Sequence, residues 1–118
     1  MQYTDFKELK ISRLGFGAMR LPMDADGKIL PDEVQKMVDY AIAHGINYFD
    51  TAYRYHAGES ENYFGRALAK HPRESFYLAD KVPTWLCDTE AGVKKIFEEQ
   101  LEKCGVDYFD FYLFHCVE

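Results

Sequence analysis

The sequence predicts an α/β protein built on a parallel sheet. Three observations carry this. Strand-like and helix-like segments alternate as β-α-β-α-β-α-β. Strands recur about every 30 residues, the size of a βαβ unit. The last strand, "YFDFYLFHCV" from Tyr108 to Val117, is so apolar that both its faces must be covered, as in a parallel sheet flanked by helices. An open doubly wound sheet and part of a (β/α)8 barrel both fit this alternation. A full barrel needs about 250 residues, and the chain has 118.

A short hairpin, Tyr3 to Phe6 with Leu9 to Ile11, precedes a first strand in "ISRLGFGAM". "DEVQKMVDYAIAHG" (Asp32 to Gly45) reads as a helix, with Val34, Met37, Val38, Ala41 and Ile42 at helical spacing. Asp32 and Gln35 resemble a capping box, and Gly45 suits the position after the helix end. "INYFDTA" is the second strand. "SENYFGRALAK" (Ser60 to Lys70) is a helix with Ser60 as its N-cap and "HP" as its stop. "SFYLADKV" (Ser75 to Val82) is the third strand. "TEAGVKKIFEEQLEKCG" (Thr89 to Gly105) is the clearest helix, with Val93, Ile96, Phe97 and Leu101 on one face.

Composition excludes several classes. Apolar residues make up 47% and aromatics 16%, so a core is available. With 14 Lys and Arg against 20 Asp and Glu, the net charge of -6 disfavours nucleic acid as a partner. No stretch has the roughly 18 apolar residues of a membrane span, and "MQYTDFKELK" lacks the apolar block of a signal peptide. The expectation is a soluble, cytoplasmic protein. Cys87, Cys104 and Cys116 have spacings that fit no metal motif and read as reduced thiols; the four histidines are scattered, so no metal is expected.

The chemistry-bearing residues fall at strand ends. Asp50 ends the second strand, Lys81 the third and His115 the fourth. Both α/β architectures place active sites at the carboxyl ends of strands. Side chains at i and i+2 share a face, so Tyr48 goes with Asp50, Tyr77 and Ala79 with Lys81, and Phe111 and Leu113 with His115. If that face is a barrel interior, the three polar groups meet at one rim above an apolar floor. Tyr55, in the loop after Asp50, can reach the same place.

Tyr, Lys, Asp and His together have a definite logic. A tyrosine ordinarily releases its proton near pH 10, and a neighbouring ammonium favours the phenolate. An aspartate bonded to that lysine fixes it, and a histidine can donate a hydrogen bond to a carbonyl oxygen. Such a tyrosine can protonate a carbonyl as a hydride reaches the carbon. The hydride donor must be a cofactor.

These residues, with "LGFGAMRLP", "GINYFDTAYRYHAGESE" and its following "GRAL", "LADKVP" and "DYFDFYLFH", resemble the N-terminal half of the aldo-keto reductases over nearly the whole chain. The resemblance implies a partial (β/α)8 TIM barrel, about strands 1 to 4 with an N-terminal hairpin, over residues 1–118. It implies reduction of a small aldehyde or ketone with NADPH or NADH. It assigns Asp50, Tyr55 as proton donor, Lys81 and His115 as catalytic residues, and Gly17, Ala18, Met19 and Asp50 to the cofactor. "YHAGESE" and "KVPTW" look most like a bacterial branch that often carries a C-terminal iron–sulfur segment, but the chain has no cluster-binding cysteine motif. Much of the cofactor site would lie in the second half of such a barrel. Three readings stay open: a fragment of a longer reductase, a half-barrel closed by a second copy or a second-half chain, and a non-catalytic module.

"GFGAMR" (Gly15 to Arg20) nearly matches a dinucleotide fingerprint, but Arg20 replaces the third glycine and "LP" follows instead of a helix. Trp85 can flank the substrate pocket or pack on the barrel top. Glu59 and Glu61 read as solvated, with Glu61 favourable at a helix N-terminus, and Cys116 as a small apolar filler.

Overall fold

The computed structural model describes residues 1–116, so the predicted strand end at Val117 lies outside the described residues. An antiparallel hairpin comes first: β1 (Tyr3–Phe6) and β2 (Leu9–Ser12), with Tyr3 opposite Ser12. Then β3 (Phe16–Gly17), α1 (Pro31–Ala43), β4 (Tyr48–Asp50), α2 (Ser60–Leu68), β5 (Tyr77–Pro83), α3 (Glu90–Cys104) and β6 (Phe111–His115) follow. The segment read as one first strand is split, because Ser12 Oγ bonds the Leu14 carbonyl and the chain turns there.

The sheet is parallel, in the order β3-β4-β5-β6. Sequential strands are neighbours, as in one wall of a (β/α)8 barrel; the strand order of a doubly wound sheet reverses instead. Register places Gly17 beside Asp50, Asp50 beside Ala79, and Ala79 beside Phe111. Higher up, Lys81 pairs with Leu113 and Pro83 with His115. One face thus carries Tyr48, Asp50, Ala79, Lys81, Phe111 and His115, as the alternation predicts. Phe111 packs against Tyr48 and, edge-on, against Phe6 of the hairpin, so the hairpin lies under the N-terminal end of this face.

The other face is the core. Phe49, Phe64, Val38, Val34 and Leu78 are almost wholly buried there, with Phe16 stacked on Phe64. Val34, Val38 and Ala41 of α1 are buried, as its periodicity predicts, whereas Met37 is exposed. Gly65 allows α2 to meet the end of α3: a methyl group there would collide with the Cys104 carbonyl.

Helix ends follow the sequence in part. Thr89 caps α3 through its hydroxyl, which accepts from the Gly92 amide, and Gly105 ends it at φ 67°. Gly45 follows α1 at φ 91°. The predicted capping box is absent: Leu30 is the N-cap, Pro31 opens the helix, and Gln35 donates instead to Asp39 and the Ala67 carbonyl. Ser60 lies inside α2, not at its cap, because its hydroxyl bonds Thr51 and the Ala18 carbonyl. That helix ends at Leu68, ahead of the predicted "HP" stop. No helix among the described residues is long and apolar enough to cross a membrane.

Candidate active site

The structure brings Asp50, Tyr55, Lys81 and His115 together at the carboxyl end of the sheet. Lys81 projects from β5 across β4. Its Nζ donates to both Asp50 oxygens at 2.7 and 2.8 Å, and to the Thr51 carbonyl at 2.8 Å. The Tyr55 hydroxyl lies 3.3 Å from the same Nζ. The Tyr55 ring meets the His115 ring edge-on at 5.8 Å, and Trp85 meets His115 from the other side at 5.2 Å. Trp85 therefore lies beside His115 at the carboxyl end of the sheet.

Each residue is braced. The Asp50 carbonyl accepts from the Ala18 amide at 2.9 Å, tying β4 to the end of β3. The Lys81 carbonyl accepts from Gln100, a fully buried α3 residue that also accepts from the Tyr112 hydroxyl. Thr84 Oγ1 donates to the His115 carbonyl at 2.6 Å. Burial, with the positive charges of Lys81 and Arg54, holds the His115 pKa below the ordinary histidine value. The ring is neutral at neutral pH, with a single N–H to donate. Its Nδ1 is buried without a hydrogen-bond partner among the described residues.

Two braces escaped the sequence reading. Gln100 is one, since nothing in a single sequence marks a buried amide. His56 is the other. The chain turns after Tyr55 with His56 and Ala57 both at φ 54°, a left-handed conformation that costs about 1–2 kcal/mol for each non-glycine residue. His56 Nε2 accepts from the buried Leu21 amide at 2.7 Å and so holds this turn against the segment after β3. The neutral ring therefore carries its proton on Nδ1. Replacing His56 with alanine should cost about 1–3 kcal/mol, because the Leu21 donor loses its only acceptor among the described residues. Urea denaturation measures it. Burial also lowers the His56 pKa. The unfolded chain then takes up a proton first on acidification, so this bond's contribution holds above about pH 6.5 and declines below it.

Gly17 sits in register with Asp50, and no atom lies within 4 Å of where its Cβ would be. Met19 is half exposed and lines the cleft that holds Arg54, Tyr55 and His115. Ala18 is fully buried.

Glu61 is not solvated: it is completely buried in α2 and paired with Lys103 Nζ at 2.9 Å. Asp80, equally buried, faces it with Cys104 on the side of the sheet away from Lys81, all three within 4.8 Å of one another. Burial and the Glu61 charge push the Asp80 pKa far above the carboxylate range. Burial and Glu61 thus favour the protonated form of Asp80, and the Lys103 ammonium beside Glu61 makes this a structural cluster. Cys116 is exposed and fills no apolar gap.

The sequence model of the Aldo/keto reductase family matches residues 13–118. The chain belongs to that family. It is 31% identical over 117 residues to "Probable aldo-keto reductase 1" of Glycine max, and 34% identical over 113 residues to the L-galactose dehydrogenase of Arabidopsis thaliana. Each alignment covers 92% of this chain and 34% of the relative. The chain thus spans about a third of the length of these curated relatives. Among solved structures, it matches a thermostable aldo-keto reductase bound to the inhibitor epalrestat with a TM-score of 0.79 at 28% identity, covering 98% of this chain and 43% of that one. It matches a Klebsiella pneumoniae aldo-keto reductase in complex with NADPH with a TM-score of 0.79 at 26% identity, covering 92% and 37%. The fold is accordingly a partial aldo-keto reductase barrel, its four parallel strands following an N-terminal hairpin.

Proposed function

We propose that the chain supplies the catalytic part of an NADPH- or NADH-dependent carbonyl reductase, which converts a small aldehyde or ketone to its alcohol. Lys81 carries this reading. Its ammonium is held by Asp50 and the Thr51 carbonyl and faces the Tyr55 hydroxyl. An ordinary structural ion pair has no need of the phenol. Tyr55 donates its proton to the carbonyl oxygen, and the Lys81 ammonium meets the negative charge left on the phenol. His115 donates a hydrogen bond to the same oxygen and orients it.

The nicotinamide cofactor supplies the hydride when bound. The residues present fit it: Gly17 leaves open space beside Asp50, and Met19 is accessible on the cleft beside Tyr55 and His115. Gly17, Met19 and Asp50 would line its reactive end. Buried Ala18 would act through its amide, which fixes Asp50. Activity belongs to a closed barrel in which these strands are four of eight. Leu113 and Phe114 of β6 are 43% and 75% exposed and favour closure by a further chain segment, a second-half chain or a second copy.

The test is NADPH binding, with the mass in solution taken from the same sample, for the chain alone and with a second-half polypeptide supplied. Saturable binding and aldehyde-dependent loss of NADPH in either preparation are expected. A stable assembly with no cofactor affinity in either would establish the rival reading, a non-catalytic half-barrel module.

A further inference from the structure

The cleft beside Tyr55 and His115 contains a cation that the proposed chemistry does not use. Arg54 immediately precedes Tyr55 and lines that cleft. Its guanidinium lies over the Trp85 ring, 4.8 Å from the centroid, and Trp85 in turn abuts His115. Guanidinium, indole and imidazole form one continuous row leading to the place of the carbonyl. The other cation of the site, Lys81, is neutralised by Asp50. Arg54 has no carboxylate within ion-pair distance among the described residues. Its charge is also felt in the site, since it helps hold down the His115 pKa.

A guanidinium stacked on an indole is restrained but keeps its edge N–H groups free. Those groups form a planar fork that matches the two oxygens of a carboxylate or phosphate. Stacking also limits the side-chain entropy that binding would otherwise cost. A solvated surface arginine has neither the stack nor the catalytic neighbours.

We propose that Arg54 is a specificity residue: the carbonyl substrate carries an oxyanion, carboxylate or phosphate, that Arg54 binds while the carbonyl meets Tyr55 and His115. The inference rests on the carbonyl-reductase reading of the same site and narrows its substrate class.

Trp85 is the only tryptophan in the chain, so its indole N–H gives a single nuclear magnetic resonance signal from this row. The isotope-labelled full chain, alone and with the unlabelled second-half polypeptide supplied, is titrated separately with 4-carboxybenzaldehyde, 4-formylphenyl phosphate and the neutral 4-methylbenzaldehyde. At least one anionic aldehyde should shift the signal saturably with an affinity about tenfold above the neutral one, as a charge-assisted hydrogen bond implies. The stronger of the two anionic probes identifies carboxylate or phosphate. Arg54→Gln should abolish that preference and leave the affinity for 4-methylbenzaldehyde unchanged; Arg54→Lys should retain part of it. Equal affinities in the wild-type chain, or a preference that survives Arg54→Gln, overturn the inference while the carbonyl site stands. Failure of all three aldehydes to move the signal in both preparations overturns the carbonyl site itself, and the inference with it. Arg54 is exposed and makes no core contact, so these variants fold.

Discussion

Tyr55→Phe is expected to slow carbonyl reduction in the closed barrel by about 10²–10⁴-fold, the range that a positioned general acid supplies. The substitution removes one hydroxyl whose neighbour in the site is Lys81 Nζ at 3.3 Å, and leaves the ring against His115. Cofactor affinity and melting temperature should therefore change little, and the loss should appear in kcat. Lys81→Met is the instructive contrast. It removes the charge facing the phenol and also strips Asp50 of its ion-pair partner. It should lower both rate and stability, since a carboxylate left without its counter-charge is costly. Steady-state rates with NADPH and an aldehyde, set beside thermal melts, separate the two cases. Undiminished turnover in Tyr55→Phe would remove the proton-donor role and leave His115 as the nearest donor. His115 has its own pH signature. Its lowered pKa keeps the ring neutral at the ordinary histidine value, so the change from one N–H donor to two in the pH–rate profile should fall below pH 6.5.

What the sequence shows and what it hides divide along a physical line. The face on which each strand's side chains lie was legible because a two-residue alternation sorts them whatever packs against them. That is why Asp50, Lys81 and His115 could be placed on one rim before any contact was known. Gly45 was legible for a similar reason: a helix end depends on local backbone geometry, and Gly45 follows α1 at φ 91°. Ser60 and Glu61 were misread because the same residue types that favour helix starts also bury well when a distant partner waits. Ser60 bonds the Ala18 carbonyl across 42 positions, and Glu61 pairs with Lys103 on another helix. Gln100 and His56 went unnoticed because their value lies in backbone groups elsewhere, Lys81 and Leu21, which leave no mark in composition or periodicity.

Lys103→Met should destabilise the chain by about 3–5 kcal/mol, the cost of removing one partner of a buried ion pair. Glu61 has no exposed surface, and neither of its oxygens accepts a well-aligned hydrogen bond, so the ammonium 2.9 Å away is its main compensation apart from the Asp80 proton. Asp80→Asn should act in the opposite sense. Folded Asp80 keeps a proton that the unfolded chain releases above about pH 3.9. The Asp80 contribution to stability must then fall as pH rises through neutrality, by at most about 1.4 kcal/mol per pH unit for one proton. An asparagine amide can still donate to Glu61 but does not titrate, so the variant should show a flatter profile and gain on the wild type as pH increases. Urea denaturation at pH 5, 7 and 9 reads both effects. Parallel profiles for wild type and Asp80→Asn would mean that the shared proton does not reside on Asp80. The outcome bears on the active site because Asp80 and Lys81 are adjacent on β5 and point to opposite faces. Asp80 Oδ1 accepts from the Lys81 amide at 2.8 Å. The buried carboxyl pair thus fixes, from behind, the backbone of the strand that carries the lysine to Tyr55.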